Sequence, residues 1–184
     1  MKQFILLLLV LAAFSSYGQN KYSHIHFNKL TPITGTSFVM ASIDDRGKME
    51  VNSKYLLFIN TQTGETAQVD LPAQARIGKI EQVHLPALNI NKLILSARTL
   101  SLAGKSDISW EDPEQVFILS TDGKDKKQLT ENGFFTREWA INEHTGTLVI
   151  TGYLDSNNNN RQDPKDENQI LIFDLKTNKQ LHQL

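Results

Sequence analysis

The sequence predicts an all-β protein built from three four-stranded antiparallel units, and three observations carry that prediction. Large apolar residues followed by two small ones recur in Phe38–Ser42, Leu93–Ala97 and Leu148–Gly152, with Met40, Leu95 and Ile150 at equal steps of 55. A second strongly β-forming run follows each segment, at Tyr55–Ile59, Gln115–Leu119 and Gln169–Phe173. Sustained apolar periodicity of 3.6 residues is nearly absent, so helix is expected to be scarce.

Each unit then reads as four elements in order. An opening strand is expected around His26–Leu30, Gln82–Leu88 and Arg137–Ile141, ahead of the recurring apolar segment. A polar loop of varying content leads into the second β-forming run. A tight polar turn comes next, at Thr61–Gly64, Thr121–Lys124 and Lys176–Lys179, with Gly or Asn where a positive φ is wanted. Short closing strands follow at Thr66–Leu71, Lys127–Thr130 and Gln180–Leu184. The units run over about 22–72, 79–130 and 134–184, nearly all of a single domain at 19–184, which leaves no room for a separate catalytic domain.

The first residues read differently. Lys2 precedes an apolar run from Phe4 to Phe14, and small and polar residues, Ser15 to Gly18, follow it. That is the pattern of a secretory signal over 1–18, and the run is too short to cross a bilayer, which takes roughly 20 residues as a helix. Cleavage after Gly18 takes the 184 residues to 166 and exposes Gln19, so the protein is expected to be exported, to the periplasm or beyond. Losing Lys2 takes 19 basic residues to 18 against 20 acidic ones, a net charge of −2, which excludes a nucleic-acid partner as the favoured reading. There is no cysteine, hence neither a disulfide framework nor a lipid-modified N-terminal cysteine.

Within the second unit, Val116–Thr130 runs from an apolar strand through the Asp122-Gly123 turn and out through Gln128, Leu129 and Thr130. This stretch resembles the blade repeat of TolB-type, WD40-like β-propellers, and the outline of the first and third units follows it with different turn residues. The resemblance implies sheets stacked radially with loops on two faces. Propellers normally need at least four blades to close, and three are visible. The expectation is therefore a partial or oligomeric propeller, with a possible homodimer formed through open sheet edges, and a β-sandwich or barrel is the alternative.

The loop Asp155–Asp166 places oxygen-bearing side chains at the ligand positions of an EF-hand loop: Asp155, Asn157, Asn159, Asp163 and Asp166 at positions 1, 3, 5, 9 and 12, with the Arg161 carbonyl at 7. Ca²⁺ wants six to eight hard oxygens, which an alternating Asp-x-Asn-x-Asn run aims at one point. Asn160 stands where Gly is usual and tolerates a left-handed turn. The spacing resembles dockerin-type calcium loops, and the expected role is structural, with weak affinity. Asn and Asp are also turn formers in their own right, which is the simpler reading of the same residues.

Other candidates carry less. His24 and His26 share a face on a strand, but two ligands are too few for a metal, and neither His84 nor His144 is brought to them by the repeat. Trp110, among Asp107, Glu111 and Asp112, could stack on a sugar or cover a peptide, or could cap the core, whereas Trp139 lies in a strand and should be buried. Asp44-Asp45 and Glu111-Asp112 are adjacent pairs, whose side chains point apart on a strand and do not by themselves make an acid and base couple. No nucleophile elbow or phosphate loop is present. The sequence thus points to an exported non-enzymatic binding or scaffolding module for a protein or glycan partner. The alternative is a small polysaccharide- or peptide-acting hydrolase or lyase of propeller type.

Overall fold

A computed structural model describes residues 27, 29–42, 55–72, 74–102 and 107–184. The expected signal at 1–18, His24, His26, Asp44 and Asp45 lie outside the described residues. Among the described residues, twelve strands form three sheets. The first sheet holds β1 (Lys29–Pro32), β2 (Phe38–Ser42), β3 (Tyr55–Asn60) and β4 (Thr66–Asp70). The second holds β5 (Arg76–Leu85), β6 (Ile90–Arg98), β7 (Gln115–Ser120) and β8 (Lys126–Gln128). The third holds β9 (Phe134–Asn142), β10 (Thr147–Leu154), β11 (Glu167–Asp174) and β12 (Lys179–Gln183). Spatial order follows chain order in every sheet, all neighbours are antiparallel, and the architecture is propeller-like. Among the described residues no helix is long and apolar enough to cross a membrane.

The hairpin chemistry explains the tight turns. Gly64, Gly123 and Asn178 take positive φ values of 75°, 73° and 56° within the β3–β4, β7–β8 and β11–β12 connections, so each reversal uses a left-handed residue. The opening strands depart from expectation, β1 running on to Pro32, β9 starting earlier at Phe134, and β5 differing most. The second unit's strand begins at Arg76 and ends at Leu85, because Pro86 has no N–H to donate to the sheet and starts a 3-10 turn over Pro86–Leu88, closed by left-handed Asn89.

Packing is face to face. One core joins the first and second sheets through Met40, Leu56 and Phe58 against Leu93, Leu95, Phe117 and Leu119. A second core joins the second and third sheets through Ile94, Val116 and Ile118 against Leu148, Ile150, Leu171 and Phe173. The middle sheet is therefore covered on both faces, which is why β6 and β7 read as continuous apolar runs while the closing strands are polar and exposed.

The face assignment corrects the equal step of 55. Opposite residues Met40 and Phe58, and Ile94 and Ile118, look toward the next sheet in the chain, and Val149 and Ile172 hold the same place on the last sheet. The pairs looking back are Ala41 and Leu57, Leu95 and Phe117, Ile150 and Leu171. Leu95 and Ile150 are equivalent, but their counterpart is Ala41, 54 residues before Leu95, and not Met40. A slip of one residue in a strand turns the side chain to the opposite face, so Met40 belongs to the other core-facing set.

The ends of this stack are faces as well as edges. The closing edge strands are short and rich in Lys and Gln, which discourages edge pairing. Phe27 lies edge-on to Tyr55 at 5.4 Å and covers part of the outer face of the first sheet. On the third sheet, Val149 and Ile172 are half-buried, and Ile170 and Leu184, joined by two backbone hydrogen bonds of 2.9 Å, are exposed.

Candidate functional site

The loop 155–166 connects β10 to β11, whose last paired residues are Leu154 and Glu167. Its two ends are anchored by buried carboxylates, Asp155 at 8% and Asp166 at 9% exposure. Asp155 accepts hydrogen bonds from the Asn159 N–H (3.0 Å) and the Asn160 N–H (2.8 Å), which wraps the chain around its side chain. Asn158 and Asn160 take φ values of 55° and 62°, so the left-handed residue anticipated at 160 has a second beside it. Asn157 and Asn159 each accept from the backbone N–H two residues on, the Asx-turn habit that the simpler reading expects.

The remaining candidate ligands converge on the same space. The amide groups of Asn157 and Asn159 donate to the Asp163 carboxylate at 3.3 Å and 2.5 Å. Asp163 also accepts the Lys165 N–H at 2.7 Å, and this bond, with the two amides and the Lys165 charge, holds its carboxyl below the usual carboxylate range. Asp166 accepts the Asp163 N–H through Oδ2 at 2.8 Å. Its Oδ1 is buried without a hydrogen-bond partner. An orphaned carboxylate oxygen is costly unless something cationic or protic meets it.

By residue type the set suits a hard cation, but the Asn157 and Asn159 oxygens accept backbone N–H bonds while their amide nitrogens face Asp163, so both amides would have to turn to ligate one. It is sparse in charge, with Asp155, Asp163 and Asp166 as the carboxylates. Among the described residues no three His, Cys, Asp or Glu side chains are drawn into one metal-ready group. A cation here would depend on the Asn157 and Asn159 amide oxygens and the Arg161 carbonyl. His84 and His144 are exposed and belong to no such group.

Trp110 is neither a core cap nor buried: it is 71% exposed. Trp139 is half-buried against the second core, with the Lys79 ammonium 4.2 Å from its ring centre. The adjacent pair Glu111-Asp112 divides as expected for neighbours. Asp112 is buried and accepts from the N–H groups of Leu102 (3.1 Å) and Ser109 (2.7 Å), fixing the loop that carries Trp110, while Glu111 is exposed.

The structure brings Trp110 and the Asn-rich loop together. A cleft of about 580 Å³ lies between the 109–114 loop, β9 and the tip of the 155–166 loop, with Arg98, Trp110, Glu114, Arg137, Asn160 and Arg161 on its walls. Arg98 and Arg137 were not legible as site residues. They lie on strands at positions with no local motif, and the available signal was the placement of Arg98 at the start of the long β6–β7 loop. No protein-family model and no curated protein matches the chain, which leaves the loop and the cleft to carry the functional reading.

Proposed function

We propose that the chain is an exported, non-enzymatic binding or scaffolding module of the TolB-type, WD40-like propeller kind, supported by Ca²⁺ in its 155–166 loop. The observation that carries this reading is the meeting of Trp110 and Arg161 in one cleft, because it places an exposed aromatic and a candidate metal loop on a single surface. Signal removal near Gly18 would deliver that surface to a protein or glycan in the envelope or outside.

The chain's own residues would do most of the work. Asp155, through its bonds to Asn159 and Asn160, sets the curve of the loop. That curve positions Arg161 at the cleft. Asp163 and Asp166 close the other end. Calcium, when bound, supplies the positive charge that the unpartnered Asp166 Oδ1 lacks and ties the two ends together. A second copy of the chain would sit on the open face of the third sheet, where Val149 and Ile172 occupy the places that Met40 and Phe58, or Ile94 and Ile118, fill against a following sheet.

Thermal melts by far-UV circular dichroism, first with excess EDTA and then with millimolar Ca²⁺, test the metal. The melt is expected to rise with Ca²⁺, since a ligand that binds only the folded state stabilises it by mass action. Asp155→Ala should remove the rise. An unchanged melt together with no calorimetric heat at millimolar Ca²⁺ would return the loop to a plain Asn-rich turn.

A further inference from the structure

Resting on that reading and naming its ligand, we propose that the cleft between the second and third units takes an acidic saccharide. The sugar ring would lie on the Trp110 indole, and its carboxylate would meet Arg137 and Arg161. A large aromatic that is 71% exposed is informative only if it is held in place, and this one is. The Arg76 and Arg98 guanidinium carbons stand 5.3 Å and 5.2 Å from its ring centre. Both arginines are themselves tied down, Arg76 Nε–H to the Ile108 carbonyl at 2.8 Å and Arg98 Nε–H to the Asp112 carbonyl at 3.0 Å. The ring is thus a fixed apolar platform, and the C–H face of a pyranose is the flat, weakly polar surface that matches it.

The charges on the walls are unevenly committed. Arg98 pairs with Glu114 at 3.3 Å. Arg137 and Arg161 have no ion-pair partner among the described residues, and the cation–π contact of Arg137 with the Tyr153 ring, 5.9 Å to its centre, leaves the guanidinium N–H groups free to donate. Two uncommitted guanidinium groups beside an aromatic platform select a planar anion that can accept two parallel hydrogen bonds, which is what a uronate carboxylate offers. The volume of about 580 Å³ falls within the range of small-ligand sites and admits one or two sugar rings. Glu111, Asp112 and Glu114 on the same wall oppose any extended polyanion, polyuronate or phosphate alike, so the anionic contact is confined to one carboxylate at Arg137 and Arg161.

Isothermal calorimetry at fixed millimolar Ca²⁺ decides the matter with four probes: trigalacturonate, cellotriose, a tri-glutamate peptide and a short oligothymidylate. Trigalacturonate is expected to bind about tenfold tighter than any of the others, with Trp110→Ala, Arg137→Gln and Arg161→Gln each weakening it about tenfold as hot-spot contacts do. The thermal melts of these variants should match the parent, since all three side chains lie on the surface. Equal binding of cellotriose, tighter binding of the peptide or the oligothymidylate, or variants that bind like the parent would each overturn the acidic-sugar assignment. If another probe binds and Trp110→Ala abolishes it, the module reading stands and only the ligand class falls. If none of the four gives heat, the inference falls, and the calcium reading is judged separately by its melt.

Discussion

Gly123 shows how much a single position can hold. It sits at φ 73° in the β7–β8 turn, and a Cβ built there would stand 2.4 Å from the Phe58 ring of the neighbouring sheet. Two independent reasons therefore exclude a side chain: the left-handed backbone and the close approach of another sheet. Gly64 has the same turn role, but nothing lies within 4 Å of its missing Cβ. Gly123→Ala is expected to cost about 2 kcal/mol or more, against about 1 kcal/mol for Gly64→Ala, with urea midpoints as the measurement. Equal costs would mean that Phe58 moves aside freely. The turn residues were readable as turn formers, since Gly and Asn announce positive φ locally. The contact with Phe58 was not, because it joins residues from different units.

At the scale of elements, the turns also carry a charge signature. Asp174 accepts the Thr177 hydroxyl at 2.6 Å and the Lys176 N–H at 3.0 Å, and these bonds, the hydroxyl first, hold its carboxyl below the ordinary carboxylate range. Asp163 in the 155–166 loop is lowered in the same direction, chiefly by the Lys165 N–H. A carboxyl whose folded pKa is depressed gives stability that is complete above its unfolded value and is lost as pH falls through the folded one. The melt of the EDTA-treated protein should therefore decline as pH drops below about 4, near the ordinary value for Asp. Asp174→Asn should flatten part of that decline. The effect is small because neither carboxyl is buried and solvent screens both. A variant with the parent's full slope would show that Asp174 keeps its bonds only in the folded state's geometry and not in its energetics. Element order itself was legible: β2 spans Phe38–Ser42 as anticipated, and β3, β7 and β11 differ from expectation only near their ends. The opening strands were less so, because β5 and β9 mix exposed and half-buried residues without a clean alternation.

The whole molecule is governed by which face each strand shows to which neighbour, and that was the least legible level. Apolar residues at Met40 and Leu95 look interchangeable in a repeat, yet one faces forward and the other back, and only the pairing register separates them. Once register is known, the third sheet has a forward face with no sheet against it among the described residues. Val149 and Ile172 stand where the earlier units bury Met40 with Phe58 and Ile94 with Ile118, and Ile170 and Leu184 extend the apolar surface beside them. By continuity with the existing sheet-to-sheet contacts, the proposed second copy would cover this face, a face-to-face alternative to the dimer through open strand edges. Light scattering is expected to give twice the mass of one chain, and Ile170→Asp combined with Ile172→Asp should return it to a single mass. Because both side chains point away from the two cores, the variant should keep a cooperative melt. A parent that is already monomeric at high concentration would reject the pairing, and a dimer that survives the double substitution would move the interface away from the third sheet.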